Sequence, residues 1–159
     1  MKICGIDAST KKTGISLLED GKLIEYRLID YSRENDLDKR MKEMCKSINI
    51  LLSYYHPNLI LCEDVWINTN PNTAKILARL GGAIYMWGIT NKVDCEYIIP
   101  SAWRSLVGLE IGKKKRNDLK RLAVEKVKKD YGITVSDDEA ESILIGASGF
   151  VNHDEALFE

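Results

Sequence analysis

The sequence contains no apolar run near the ~20 residues that a membrane-spanning helix requires, and it shows no signal-peptide layout. Its four cysteines have no Cys-x-x-Cys spacing, which argues against a zinc site and against a secreted disulfide framework. Repeats, linkers and low-complexity tracts are absent as well, and 159 residues suit one ordinary domain. We therefore expect a single cytoplasmic domain over residues 1–159 with reduced cysteines.

The overall charge excludes little, because 23 basic and 24 acidic residues leave a net charge of −1. The distribution along the chain is more informative. Between Arg104 and Lys129 there are ten basic residues and three acids, a local balance of +7 that leaves −8 for the remainder. Charge segregated in this way is typical of a protein with one surface for a polyanion and clustered carboxylates elsewhere.

Hydrophobic periodicity predicts alternating strands and helices. Strands are predicted over residues 2–7, 14–19, 23–30, 59–64 and 95–99. Helices are predicted over residues 37–55, 71–91, 100–107, 114–131 and 136–151. Three antiparallel strands followed by alternating helix and strand indicate an α/β fold with a five-stranded mixed sheet flanked by helices.

Acidic side chains end two of the apolar strands. Asp7 ends the first strand and Glu63 the fourth, although Asp64 is an equally placed alternative to Glu63. Open α/β sheets bind ligands outside such strand ends, so these acids meet if their strands are neighbours. A buried charge destabilises the fold unless it is paired or bound to metal, so an acid at the end of each apolar strand requires a partner.

A third source of carboxylates is the segment SDDEAESILIG, residues 136–146. Ser136 and Glu139 fit a capping box at the start of the last helix. Asp138 and Glu141 are three residues apart and therefore neighbours on that helix, although acids here are also common simple helix starters. Four carboxylates brought together would repel one another. Bound magnesium ions would offset this repulsion and leave room for a substrate phosphate.

The segments GIDASTKKTG, LILCEDVW and DDEAESILIG, with a basic stretch after Val107 and Gly108, occur in the order and spacing of the RuvC Holliday junction resolvases. The chain resembles this family of the RNase H-like superfamily over nearly its whole length. The resemblance implies a homodimeric, magnesium-dependent endodeoxyribonuclease that nicks four-way DNA junctions in pairs, in a bacterial cell or a phage-infected host. Forks and flaps are further candidate substrates. It also implies two Mg²⁺ ions per active site, for which Mn²⁺ is an expected substitute.

The resemblance assigns roles to individual residues. It implies catalytic and metal-binding roles for Asp7, Glu63, Asp138 and Glu141, and a catalytic contact between Lys115 and the scissile phosphate. The implied DNA-binding residues are Trp66, Lys11, Lys12, Lys113, Lys114, Lys115 and Arg116, of which Trp66 corresponds to an aromatic residue that stacks on exposed bases. Residues 78–88, ARLGGAIYMWG, are similar to the helix that contributes to the family's dimer interface.

The sequence departs from the family pattern in ways that leave alternatives open. Glu141 stands where bacterial members usually have Asp, so Asp137 or Glu139 could share its role. Ala8 and Ser9 replace the Pro and Gly of many relatives, which favours a phage-encoded branch. The rival interpretations are a RuvC-like RNA-processing nuclease and a junction-binding protein without activity. GIDASTKKTG also resembles the first phosphate loop of ATP-binding domains of the actin and sugar-kinase type. Such proteins need a second, similar domain to close over the nucleotide, and this chain has room for only one.

Overall fold

The computed structural model describes residues 1–64, 70–109 and 112–156, with only the backbone of residues 152–156. Its strands are β1 (Lys2–Asp7), β2 (Lys12–Glu19), β3 (Lys22–Asp30), β4 (Leu59–Glu63) and β5 (Asp94–Ile98). Its helices are α1 (Leu37–Tyr55), α2 (Pro71–Asn91), α3 (Pro100–Leu106), α4 (Arg116–Tyr131) and α5 (Asp137–Ala156). Every predicted element is present; α4 begins later than predicted, at Arg116, and α5 continues further, to Ala156. None of the described helices is both long and apolar enough to cross a bilayer.

The strands form one mixed sheet in the order β3-β2-β1-β4-β5. β1 and β2 pair antiparallel, as do β2 and β3, whereas β1, β4 and β5 are parallel. The predicted α/β fold with a five-stranded mixed sheet is therefore confirmed. Because β1 and β4 are parallel neighbours, Asp7 and Glu63 end at the same edge of the sheet.

Helices cover both sides of the sheet, and the alternation along the strands decides which residues point to which side. Cys4 and Ile6 of β1 pack with α1 and α2, whereas Ile3 packs with α3, α4 and α5. In β4, Ile60 and Cys62 pack on the first side and Leu61 on the second. The same alternation directs Asp7 and Glu63 toward the side of α3, α4 and α5.

Helix α5 lies unusually close to the sheet because two glycines remove side chains from the contact. A Cβ atom at Gly5 would overlap the carbonyl oxygen of Ser142, and one at Gly14 would overlap the carbonyl of Asp138. The Ser16 hydroxyl also donates to the Ser142 carbonyl at 2.9 Å. Since Gly14 pairs with Asp7 across the β1–β2 ladder, this contact brings the first turn of α5 next to Asp7.

The four cysteines are free thiols, as expected of reduced core residues. Cys4 and Cys62 are buried in the layer under α1 and α2, and Cys45 and Cys95 are partly buried beside it.

Candidate functional site

The structure gathers the four predicted carboxylates at one edge of the sheet. Asp7 comes from the end of β1, Glu63 from the end of β4, and Asp138 and Glu141 from the first turns of α5. The charges of Glu141, Glu63 and Asp138 all act on Asp7, in that order of strength. Asp7 is thus the centre of the group, which we call the acidic centre.

Asp7 carries the largest electrostatic strain in this group. Burial raises the pKa of its carboxyl group well above the usual range, and the charges of Glu141, Glu63 and Asp138 raise it further. The amine of Lys120 opposes this but does not cancel it. In the described part of the chain, no hydrogen bond or salt bridge is made to the Asp7 side chain, so its charge is left without a partner.

Glu63 is held by a tryptophan. The indole nitrogen Nε1 of Trp103, which is fully buried, donates to Glu63 Oε2 at 2.7 Å. Burial raises the pKa of Glu63 although this hydrogen bond and the charges of Arg104 and Arg116 lower it. Asp64, the open alternative, is exposed, whereas Glu63 is partly buried beside Asp7.

Glu141 is held by an arginine. Arg104 Nη2 lies 2.8 Å from Glu141 Oε1, and both side chains are mostly buried, with 13% and 7% exposure. The guanidinium carbon of Arg104 lies 4.6 Å from the centre of the neighbouring Trp103 ring. Sequence reasoning did not single out Trp103 or Arg104, because a tryptophan and an arginine in a short helix carry no spacing signal.

The other acids in the first turn of α5 have other partners. Lys120 Nζ of α4 lies 2.5 Å from Asp137 Oδ2 and 3.5 Å from Asp138 Oδ1. The hydrogen bond from Lys120 lowers the pKa of Asp137. Glu139 accepts from the backbone nitrogen of Ser136 at 2.9 Å, while its own backbone nitrogen donates to Ser136 Oγ at 3.3 Å, which is the predicted capping box. Asp137 and Glu139 are therefore both engaged away from Asp7.

The acidic centre is not a closed metal site, since no three His, Cys, Asp or Glu residues of the described ranges are arranged to hold one ion. One oxygen of each outer acid instead lies within hydrogen-bond distance of Trp103, Arg104 or Lys120. The donor set itself fits a hard divalent cation, since it consists of carboxylates around a central Asp7 that has no protein donor.

The basic residues predicted to bind DNA lie at the surface near this edge. Lys11 and Lys12 are exposed where β1 leads into β2, and Lys12 lies 3.6 Å from Asp30. The residues Lys113, Lys114, Lys115 and Arg116 are exposed at the start of α4, where Lys115 is the N-cap. Arg116 acts electrostatically on Glu63, which places this basic segment beside the acidic centre. Trp66 lies outside the described residues.

The predicted dimer helix is α2. Its outward side exposes large apolar side chains, with Tyr85, Met86 and Ile89 at 50%, 60% and 58% exposure. Tyr97 of β5 donates through its hydroxyl to the Gly81 carbonyl at 2.7 Å and so fixes α2 to the sheet edge. A patch of exposed apolar residues on one side of a helix is typical of an interaction surface.

A family model described as "Crossover junction endodeoxyribonuclease RuvC" matches residues 3–143. Curated proteins of the same description include one from Janthinobacterium sp., 31% identical over 52% of this chain and 48% of that protein. A second, from Caldicellulosiruptor saccharolyticus, is 23% identical over 100% of this chain and 98% of that protein. The match to the first relative thus spans about half of its length, whereas the match to the second spans nearly all of it.

Solved structures match the fold along the whole chain. A Thermus thermophilus RuvC in complex with Holliday junction substrate gives a TM-score of 0.80 at 13% identity, covering 98% of this chain and 96% of that one. A Fowlpox virus resolvase with Holliday junction DNA gives a TM-score of 0.62 at 15% identity, covering 100% of both chains. Likenesses at these identities establish a shared fold and leave the chemistry to the residues themselves.

Proposed function

The chain belongs to the RuvC family of crossover junction endodeoxyribonucleases, and from this membership we propose that it is a metal-dependent nuclease that resolves four-way DNA junctions. The observation that carries the proposal is the acidic centre: two neighbouring strands and one helix bring carboxylates around the partly buried Asp7. A family match without those acids would support a fold, and the acids without the family would support only a metal site.

The proposed ligand set consists of Asp7, Glu63, Asp138 and Glu141. Divalent ions bound there, which we propose to be two Mg²⁺ ions replaceable by Mn²⁺, would supply an activated water and stabilise the departing oxygen of a phosphodiester. Asp7 would be the central ligand of this set, because the charges of the other three carboxylates all act on it. Their mutual repulsion, which raises the pKa of Asp7, would be relieved by the added positive charge.

The protein's own cations have a separate role in the proposal. Lys115, at the N-cap of α4, is proposed to contact the scissile phosphate, with Lys113, Lys114 and Arg116 beside it. Lys11 and Lys12 add positive charge where β1 leads into β2. Trp66 is proposed to stack on bases exposed at the junction. Contacts of this kind select shape rather than base sequence and weaken steeply with added salt.

A homodimer completes the proposal. A symmetric four-way junction presents the same geometry to two copies of the enzyme, which a two-fold dimer matches. The exposed apolar side of α2, with Tyr85, Met86 and Ile89, is the proposed interface. Light scattering on the purified protein should then give twice the 18.0 kDa of one chain. A homodimer would place one acidic centre at each of two symmetry-related DNA strands. We propose that it acts in the cytoplasm of the cell where it is made.

The experiment that tests the function uses a labelled immobile four-way junction, a fork, a linear duplex and a junction of the same sequence made of RNA. With Mg²⁺ the DNA junction should be nicked at symmetric positions, the duplex should remain intact, and omission of Mg²⁺ should stop the reaction. The fork shows whether other branched DNA is accepted. Preferential cutting of the RNA junction would favour the RNA-processing alternative instead.

The matched control is Asp7→Asn, which removes one charge with little change in shape. It should abolish cleavage and leave junction binding, measured by gel shift, equal to or stronger than wild type. A variant that cuts at the wild-type rate would refute the proposed ligand set. Binding of the junction by a wild-type protein that never cuts it would favour the non-catalytic alternative.

A further inference from the structure

Two adjacent side chains of helix α3 donate hydrogen bonds to two different carboxylates. Trp103 donates from Nε1 to Glu63 Oε2 at 2.7 Å, and Arg104 donates from Nη2 to Glu141 Oε1 at 2.8 Å. Glu63 and Glu141 come from a strand and a helix that are far apart in sequence, and both lie beside Asp7. The Trp103-Arg104 pair is therefore a bridge between two acids of the acidic centre.

We propose that Trp103 and Arg104 are positioning residues, which fix the orientation of the Glu63 and Glu141 carboxylates toward the metal ions. This inference rests on the proposed function, because it assigns the two glutamates as metal ligands. In this proposal neither Trp103 nor Arg104 contacts the ion or the DNA. Their role is exerted entirely through the carboxylate that each one holds.

The hydrogen bonds leave room for that role. Each glutamate uses one oxygen, Oε2 of Glu63 and Oε1 of Glu141, and among the described residues its second oxygen has no protein donor. A ligating carboxylate is commonly oriented in this way by an outer partner, and loss of the partner typically costs 10- to 100-fold in metal affinity or activity, roughly. Both bonds end on a carboxylate and are charge-assisted when it is ionised, and the bond from Arg104 also joins two opposite charges.

The two positioning residues are themselves held rigidly. Trp103 is fully buried in the apolar cluster under α3, α4 and α5. The guanidinium of Arg104 lies 4.6 Å from its ring centre, a cation–π contact that restricts the arginine to one place. A carboxylate bound to such an anchor loses little further freedom when an ion arrives, which favours binding.

The length of residue 141 follows from the same contact. The resemblance to the family leads one to expect Asp at this position, whereas this chain has Glu. Arg104 Nη2 meets Glu141 Oε1 at 2.8 Å, so a side chain one methylene shorter would end short of the guanidinium. The glutamate and the arginine thus form a matched pair, and shortening one should have the same effect as removing the other.

The test measures Mn²⁺ binding to the DNA-free protein by the electron paramagnetic resonance signal of unbound Mn²⁺. Arg104→Met should weaken binding about 10-fold or more, the range typical of lost outer-shell partners. The matched control is Arg27→Met, because Arg27 contacts Glu25 at the same distance of 2.8 Å but on the surface, with 62% exposure of the arginine. That control should bind Mn²⁺ like wild type.

Further variants separate positioning from a merely structural role. Arg104→Lys, which keeps the charge, should recover part of the lost affinity. Trp103→Phe, which keeps an aromatic ring and removes the donor to Glu63, should weaken Mn²⁺ binding at a temperature well below its melting temperature, which the lost packing lowers as well. Glu141→Asp should weaken binding as Arg104→Met does, and combining the two should add little, since they break one contact. If Arg104→Met fails to fold, Glu141→Asp decides the question.

Opposite results would overturn the inference. Mn²⁺ binding as tight as wild type, or tighter, in Arg104→Met or in Glu141→Asp would show that the arginine only balances charge or competes with the ion. When wild type binds Mn²⁺ and cuts junctions, such a result contradicts this inference alone. A wild type that does neither would overturn the proposed function and this inference together.

Discussion

Two groups of four acids in this protein differ in almost every physical respect. Around α1, Glu34, Asp38 and Glu43 lie on the surface within 2.7, 2.5 and 2.8 Å of Lys39, Lys42 and Lys46, and Asp36 caps the helix by accepting from the Lys39 backbone at 2.7 Å. In the acidic centre, three carboxylates lie around the partly buried Asp7, which has no such partner among the described residues. Every acid of the first group has a cation or an N–H donor, whereas the central acid of the second group has none.

The difference appears directly in the protonation behaviour. The hydrogen bond from Lys39 lowers the pKa of Glu34, whereas burial and neighbouring acids raise the pKa of Asp7. A fold gains nothing for its own stability by concentrating charge in the second way. Local charge balance, rather than the number of acids, therefore distinguishes a binding site from an ordinary surface.

The largest effect on the folded state is expected from Gly14→Ala. The new methyl group would overlap the Asp138 carbonyl and push the start of α5 away from β2, which should cost about 3 kcal/mol or more of unfolding free energy. Gly21→Ala is the matched control, because Gly21 has a positive φ of 77° with no atom within 4 Å of the added carbon. Its cost should be only the backbone strain of about 1–2 kcal/mol. Urea denaturation of both variants measures the contrast, and equal losses would contradict the close approach of α5.

Lys115→Ala tests whether the basic segment serves the acidic centre. Loss of one cation at the scissile phosphate should lower the single-turnover cleavage rate about 100-fold while changing junction affinity much less. Lys42→Ala, on the balanced surface of α1, should leave both quantities unchanged. A Lys115→Ala variant with an unchanged rate would transfer the role to Lys113 or Lys114.

The pH dependence of stability should separate the two groups of acids. Because the folded protein raises the pKa of Asp7, the folded state binds more protons than the unfolded chain above the ordinary value of 3.8, and stability without metal falls as pH rises through that range. Asp7→Asn removes the effect. Without metal, its melting temperature should exceed that of wild type by several degrees at about pH 7 and match it near pH 4, roughly. A lower melting temperature at neutral pH would show that the Asp7 charge is stabilising.

The smallest effect is expected from Asp38→Asn. Asp38 and Lys42 form an exposed pair one helical turn apart, with 76% and 67% exposure, and pairs of this kind contribute little. The melting temperature should change by less than about 2 °C at any pH between 5 and 8, roughly. A pH-dependent change as large as that of Asp7→Asn would remove the distinction between the two groups.

Much of the acidic centre could be predicted from the sequence, because its acids are tied to regular patterns. Asp7 and Glu63 end apolar strands, and the alternation of those strands sets their direction. Asp138 and Glu141 follow a capping box whose hydrogen bonds the structure contains. Family membership and the mixed sheet were predicted from the same segments and are confirmed.

The partners of these acids could not be predicted, for a physical reason. Trp103, Arg104 and Lys120 reach them only because α3 and α4 pack against α5 at particular angles, and no local pattern specifies that packing. The close approach of α5 to the sheet was not predicted either, because it depends on Gly5 and Gly14 lying opposite the carbonyls of Ser142 and Asp138.

A crystal structure of the wild-type protein grown with Mn²⁺, with anomalous scattering used to locate the ions, tests the acidic centre as a metal site. We expect two peaks about 3.5–4 Å apart, within bonding distance of oxygens from Asp7, Glu63, Asp138 and Glu141. Ions found only elsewhere, in crystals of a protein that cleaves junctions, would contradict the proposed ligand set.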